Sequence, residues 1–446
     1  MVDAARGVAF EVLRAIDDQD AYVNLLLPRL LREHRLDPRD AAFATELAHG
    51  TVRRIGTYDA ILDRTAKQGV AKLDPPVRDV LRLGIHQLLS MRVPSHAAVS
   101  TSVDLVRRVV GHRPASFVNA VLRKVSQADL EEWTRRVAPS RTQDAVGHLS
   151  VAHSHPRWVV EALRDALGDT TPGLDETALL LAADNDAPGV TLVARPGLST
   201  VEELADDAGT PGRWSPWAVH LGGGDPGRLA AVREHRAGVQ DEGSQLVALA
   251  LAGTALEGDD VRWLDLCAGP GGKAALLAAV ADGRGAHLVA NELQEHRAEL
   301  VRQSLQGVPS AVVVVGDGRQ DVDGGPFDRV LVDAPCTGLG ALRRRPEARW
   351  RRSPADVPAL VTLQGALLES AWRQVRSGGV VAYATCSPHR EETVGVVEAF
   401  LAGRDDVEVL DATAAVPMSD LDGPFVQLWP HRHGTDAMFL ALLRRR

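Results

Sequence analysis

At 446 residues the chain exceeds the usual size of a single hydrophobic core, so two or three domains are expected. Its 45% hydrophobic content is globular, and no apolar run reaches membrane-spanning length. A formal charge of −9 argues against a uniformly basic nucleic-acid-binding surface. The three cysteines, Cys267, Cys336 and Cys386, are too few for a disulfide framework and match no zinc-site spacing, so no metal is expected. The first residues, M-V-D-A-A-R-G-V, lack a basic-then-apolar signal pattern, which together with the missing membrane span predicts a cytoplasmic protein.

Residues 1–145 read as a helical bundle. Val8-Ala9, Val12-Leu13 and Ile16 recur at helical spacing, as do Leu25-Leu26 with Leu30-Leu31, and Ala44 with Leu47-Ala48. Asp37-Pro38 is a helix start. Further helical runs lie at 60–62, 77–89, 97–110 and 117–125, giving six or seven helices with no strand pattern. This part carries 22 Lys+Arg against 18 Asp+Glu, a balance of +4; the remainder holds 28 against 41, a balance of −13.

Residues 146–235 are less regular. A helix opens at His155-Pro156-Arg157-Trp158, another lies near 179–183, and Val190 to Ala194 reads as a strand. The segment from Asp207 to Asp225 is rich in Gly and Pro. The expectation is a small α+β linking and RNA-binding subdomain.

From residue 236 a strand–helix alternation begins, the signature of an α/β domain. Strands are predicted at 263–266, 286–290, 311–315, 327–332 and 379–384, with closing strands at 407–410 and 437–443. The first runs into Cys267-Ala268-Gly269-Pro270-Gly271-Gly272-Lys273 and then an apolar helix: strand, glycine turn, helix, in which backbone N–H groups face a ligand. Taken alone, such a turn could also merely close a βα unit.

The polar residues of interest each follow a predicted parallel strand, where an open α/β sheet gathers its ligand. Asp265 reads as a brace for the turn. Glu292, 23 residues beyond Gly269, is either surface charge or the acceptor for a ribose diol. Asp317 is either an ordinary turn residue or a partner for an adenine amine. The loop lacks G-x-G-x-x-G, and Ala274 stands where a phosphate loop needs Ser or Thr. An adenosine ligand without an extended polyphosphate fits best, and S-adenosyl-L-methionine is the natural candidate. Cys336 and Cys386 each sit just past a strand in a Pro-containing polar turn; Cys267 lies in the glycine loop itself.

These motifs resemble a known family. Asp265 to Lys273, Asp333-Ala334-Pro335-Cys336 and Ala384-Thr385-Cys386-Ser387 look like the cofactor loop and two cysteine motifs of RNA cytosine carbon-5 methyltransferases. Arg78-x-x-Leu81-Arg82-x-Gly84, His96-Ala97-Ala98-Val99 and Phe117 to Arg123 resemble the NusB-like domain of the bacterial RsmB/Sun (Fmu) branch. Gln240-Asp241-Glu242-Gly243-Ser244 and Leu428-Trp429-Pro430-His431 fit that branch too. Gly269 and Ala274 stand where the family commonly has Ala and Thr, and Ala437 in Asp436-Ala437-Met438-Phe439 stands at a usual Gly position.

The resemblance implies an all-α NusB-like bundle (1–145), the linking subdomain (146–235) and a Rossmann-like class I methyltransferase domain (236–446). It implies a monomer that methylates carbon-5 of a cytosine in 16S rRNA, or in a small-subunit assembly intermediate. Cys386 would be the nucleophile at carbon-6, Asp333 would face the N3/N4 edge, Cys336 would assist elimination and release, and Lys273 would be a polar aid in the pocket. The cofactor would lie against Cys267 to Lys273, Glu292, Arg297, Asp317 and Asp333.

The run Arg343 to Arg352 holds six arginines, one Glu and one Trp; beside the Cys336 turn it reads as a phosphate-binding segment in preference to a solvated loop. Rival readings are the same chemistry on tRNA or another rRNA site, a noncatalytic RNA-binding or antitermination-like protein, and a nicotinamide oxidoreductase. Binding alone needs neither strand-end cysteine, and the first loop opposes the last.

Overall fold

The computed structural model describes residues 3–19, 21–206 and 209–446; the first two residues of the N-terminal stretch, and Asp207 in the Gly/Pro-rich segment, lie outside the described residues. The chain divides into two compact units, Met1–Ala187 with Leu342–Arg352, and Pro188–Ala341 with Ser353–Arg446.

The first unit is helical. Val8, Val12, Leu47, Ile61, Leu81, Val106 and Leu122 interlock in its core. Asp37 caps the helix Pro38–Arg53 by accepting the Asp40 N–H at 2.8 Å, with proline in the first turn as the sequence suggested. Among the described residues, eight α-helices lie between Ala4 and Val137. One of them, Leu130–Val137, escapes the periodicity reading because it buries a single anchor, Trp133. The Arg78 to Gly84 motif has a structural cause: the Arg82 guanidinium grips Asp59 with bonds of 2.8 and 2.6 Å and also reaches buried Asp79. A Cβ on Gly84 would meet Leu122 at 2.7 Å, so two helices close directly over this glycine.

The bundle does not stop at residue 145. Helices Ala145–Ala152, Arg157–Leu167 and Asp175–Ala183 belong to the same unit. Thr57 donates to the Val151 carbonyl at 2.6 Å and Ser154 accepts the Gly56 N–H at 2.8 Å, which ties the later helices to the earlier ones.

For Arg343 and Arg349 the structure corrects the phosphate-binding reading of the arginine-rich run. Leu342–Arg352 is part of the helical unit, although its neighbours in sequence belong to the other. The Arg349 side chain is fully buried and donates to Asn185 Oδ1 at 2.9 Å and to the Ser154 and Asp184 carbonyls at 3.2 Å. Burial, only partly offset by Asp184, lowers its pKa to about 9. Arg343 is buried as well, and its carbonyl accepts from Arg53 at 3.2 Å. Glu347 accepts the Val23 N–H at 3.2 Å. Arg345 and Arg351 lie over the Tyr22 ring, 5.5 and 4.8 Å from its centroid. Trp350 packs flush on Gly56, where a Cβ would fall 2.5 Å from its ring. Arg343, Glu347 and Arg349 are thus spent inside the fold, while Arg345 is exposed and Arg344, Arg351 and Arg352 are half-buried.

The second unit begins with a four-stranded antiparallel sheet of order β2-β3-β1-β4, formed by β1 (Thr191–Ala194), β2 (Gly209–Pro211), β3 (Ala218–Leu221) and β4 (Ala237–Val239). β2 and β3 occupy the Gly/Pro-rich segment and are too short for alternation to register. The linking region is thus divided: its helices up to Ala183 join the bundle, and its sheet, with the short helices Val201–Asp206 and Ala230–Arg233, joins the α/β unit.

The large sheet contains β5 (Arg262–Asp265), β6 (His287–Glu292), β7 (Ala311–Val315), β8 (Phe327–Asp333), β9 (Val375–Thr385), β10 (Val407–Leu410), β11 (Val426–Gln427) and β12 (Phe439–Arg445). Its order is β10-β12-β9-β8-β5-β6-β7, with β11 paired to β12. β5 to β9 run parallel, and β12 is antiparallel beside β9. Leu246, Leu276, Leu288 and Leu331 fill the core on one face, and Leu264, Val330, Leu367 and Val397 fill that on the other. Covering both faces of a parallel sheet requires the near-continuous apolar strands seen in the sequence.

Candidate active site

Asp265, Glu292 and Asp333 close β5, β6 and β8; Asp317 lies two residues beyond β7, and Cys386 is the first residue past β9. The parallel register pairs Asp265 with Ala290 and Leu331, and Asp333 with Ala384. These groups therefore emerge along one edge of the sheet.

The glycine loop is built by close approaches. The Ala268 N–H reaches the Asn291 carbonyl at 2.8 Å, and the Gly269 N–H donates to Glu292 Oε2 at 3.1 Å. Gly271 has φ +112°, and a Cβ there would fall 2.7 Å from Ser304, so this position needs glycine. A Cβ at position 269, where the family commonly carries one, would meet Glu292 Oε2 at 2.1 Å. Gly269 and this setting of Glu292 therefore go together.

Glu292 also accepts the Gln294 N–H at 3.0 Å, while a carboxylate's remaining lone pairs still suit a diol. Arg297 donates to the Gly269 carbonyl at 2.6 Å and lies 3.7 Å from Glu292, so here it braces the loop. The Asp317 carboxylate is gripped by Arg319 with bonds of 2.5 to 3.0 Å, which lowers its pKa.

Asp265 braces the turn as expected, accepting the Cys267 N–H at 3.3 Å, while its Oδ2 is buried without a partner. Burial, reinforced by Asp333, pushes its pKa up to about 8. Lys273 Nζ lies 2.9 Å from Asp333 Oδ2. Burial works against the Lys273 ammonium, but Asp333, then Cys386 and Asp265, outweigh it and raise its pKa above the ordinary value.

Cys336 and Cys386 are brought together, Sγ to Sγ 3.4 Å. The hydrogen bond to Cys386, then burial, raises the Cys336 pKa well above the usual thiol value. The two thiols share one hydrogen-bonding contact. Burial followed by the nearby Asp265 raises the Cys267 pKa as well, which fits an inert loop residue. Ala437 replaces the family's glycine without distortion: its φ is not positive, and its N–H donates to the Gly340 carbonyl at 2.9 Å.

Two groups at this edge were missed in the sequence. Asn291 donates to the Leu266 and Gly316 carbonyls at 2.9 and 3.2 Å, joining the ends of β5 and β7. Glu392 binds Thr337 and Ser387, the residues that follow the two thiols. Its only trace was the pair Glu391-Glu392 at a helix start, which reads as ordinary capping charge.

Residues 253–444 match the family described as 16S rRNA methyltransferase RsmB/F, and residues 3–127 match the NusB family. The chain is 32% identical to the ribosomal RNA small subunit methyltransferase B of Xanthomonas campestris, over 99% of this chain and 97% of that protein. It belongs to the RsmB/F methyltransferase family. Within that family it is similar to the Mycobacterium tuberculosis protein named "Putative methyltransferase Rv1407", with 53% identity over 100% of this chain and 97% of that one. The crystal structure of PH0851 shares the fold, with TM-score 0.80 and 21% identity over 100% of this chain and 99% of that one. Every candidate site residue falls within the RsmB/F match, while the small sheet β1–β4 lies between the two matched regions.

Proposed function

We propose that this protein is a cytoplasmic enzyme that methylates carbon-5 of a cytosine in 16S rRNA, using S-adenosyl-L-methionine and a covalent cysteine adduct. The observation that carries the reading is the pair of sulfurs at 3.4 Å, on two strand ends beside the Lys273–Asp333 pair.

The residues at the sheet edge suit the cofactor. Asp265 Oδ2 and Asn291 Oδ1 are buried polar atoms without partners next to the glycine loop, and Glu292, Asp317 and Asp333 supply negative charge toward a cation. Cys267 to Lys273, Glu292, Asp317 and Asp333 would hold it, with Arg297 bracing the loop. When bound, S-adenosyl-L-methionine supplies an electrophilic methyl group.

Cytosine carbon-5 is too poor a nucleophile to accept that methyl unaided. The Cys386 thiolate adds to carbon-6, breaking the 5,6 double bond and leaving an enamine-like carbon-5. Lys273 supplies positive charge favouring the thiolate, and Asp333 faces the N3/N4 edge, where accepting from the N4 amine and delivering a proton to N3 stabilise the negative charge that develops as the thiolate adds. Once carbon-5 is methylated, its proton passes to water, the electron pair left behind re-forms the 5,6 double bond, and the carbon–sulfur bond breaks to release Cys386 as the thiolate. Cys336, with its sulfur 3.4 Å from that of Cys386, assists that elimination and product release.

The test is bisulfite mapping of rRNA from cells with and without the protein, paired with labelled-methyl transfer to purified 16S rRNA. The expected result is one protected cytosine that depends on the protein. Label entering only tRNA would move the substrate, and no protected cytosine in any RNA would overturn the reading.

A further inference from the structure

We propose that Glu392 is a positioning residue that sets the two thiols against each other by holding both of their loops with one buried carboxylate. Glu392 is completely buried and accepts four hydrogen bonds from neutral donors. Oε1 takes the Thr337 N–H at 2.8 Å and the Gln364 side-chain amide at 3.1 Å; Oε2 takes the Thr337 hydroxyl at 2.5 Å and the Ser387 hydroxyl at 2.7 Å. Thr337 directly follows Cys336, and Ser387 directly follows Cys386. Gln364 also donates to the Pro335 carbonyl at 2.9 Å, so Cys336 is tethered on both sides. The Tyr383 hydroxyl donates to the Glu392 carbonyl at 2.7 Å and fixes the backbone that presents the carboxylate.

A buried carboxylate is costly unless its lone pairs are filled, and a helix start does not need one here. Four donors drawn from the two cysteine loops and the helix Val357–Gln374 make it a fixed node. Backbone bonds from Ala334 N–H to the Ala384 carbonyl at 2.9 Å and from Gly340 N–H to the Cys386 carbonyl at 2.8 Å join the two loops, and the node sets the thiols within that frame, because each thiol is one residue from a side chain bound to the same oxygen. A loosened node displaces both thiols at once, whereas loss of either cysteine removes only one. This inference rests on the proposed thiol chemistry for its catalytic consequence, but not for its geometry.

The experiment therefore has two readouts on the full-length protein. The first needs no RNA: diamide takes the two thiol hydrogens onto its azo group while Cys336 and Cys386 join as a disulfide, and the rate is followed by mass spectrometry. Glu392→Ala is expected to slow this closure at least about tenfold. The second is single-turnover methylation of 16S rRNA, where the rate is expected to fall about 100-fold, the usual scale for misplaced reacting groups. The KM for RNA and cofactor affinity should stay within about twofold, since the glycine loop is untouched. Glu392→Gln, which the two hydroxyls can meet by reversing their bonds, is expected to recover most of both rates. If Glu392→Ala does not fold, the Thr337→Val/Ser387→Ala double variant removes the hydroxyl ties and should slow both readouts. Wild-type closure and turnover in the folded variants would overturn the proposal. Wild-type protein that closes rapidly but methylates no RNA would instead sink the functional reading and leave the positioning role standing.

Discussion

Cys336 and Cys386 are 50 residues apart in sequence, yet their sulfurs lie 3.4 Å apart, and the contact with Cys386 raises the Cys336 pKa well above the usual thiol value. Because the hydrogen bond to Cys386 is the largest cause of the raised Cys336 pKa, removing Cys386 should bring it down toward the ordinary thiol value. In Cys386→Ala, iodoacetamide should alkylate Cys336 faster at pH 8 than it does in the wild type, as read by peptide mass spectrometry. An unchanged or slower rate would show that burial alone controls this thiol.

Lys273 is held 2.9 Å from Asp333 and also acts electrostatically on Cys386. Lys273→Met keeps the bulk and removes the charge. Loss of one preorganised electrostatic contact commonly costs about 10²- to 10³-fold in kcat, and a fall in that range is expected in single-turnover methylation. Cofactor binding by calorimetry should change much less, because the Gly269 and Glu292 contacts remain.

Asp265 gives a pH signature. Its folded pKa of about 8 exceeds the ordinary 3.8, so between these values the folded protein holds a proton that the unfolded chain has released. Stability from this group is therefore lost as pH rises from about 4 to about 8. Asp265→Asn cannot titrate. Urea unfolding at a series of pH values should show the variant gaining on the wild type as pH rises from 5 to 8. A constant difference across that range would contradict the assignment.

Arg349 tests whether the arginine-rich run is structural. Truncation to Ala leaves Asn185 and two buried carbonyls without their donor, and a loss of about 3 kcal/mol is expected in chemical unfolding of the full chain. If Arg349→Ala instead weakened RNA binding with no change in stability, the phosphate-binding reading would return.

Much of the catalytic unit was legible in the sequence because buried parallel strands are apolar runs that stop at polar turns. β8 shows the rule: Val330, Leu331 and Val332 are fully buried, and the strand ends at Asp333, where the apolar run ends. The bundle's helices were read from their own apolar repeat. What escaped was long-range. Nothing local tells Arg349, in a run of arginines, that it will be buried against Ser154, 195 residues earlier in the chain. Glu392 was hidden for the same reason, since a carboxylate at a helix start looks like a cap until its partners Thr337 and Ser387 are known. β2 and β3 were missed because strands of three and four residues are too short to show alternation.

The most direct test of the account is to incubate Cys336→Ala with 16S rRNA and S-adenosyl-L-methionine and look for an RNA–protein complex that survives denaturing electrophoresis. The expected result is a stable adduct in Cys336→Ala that disappears in the Cys336→Ala/Cys386→Ala double variant, with no methylation by Cys386→Ala alone. An adduct that persists without Cys386, or full methylation by Cys386→Ala, would contradict it.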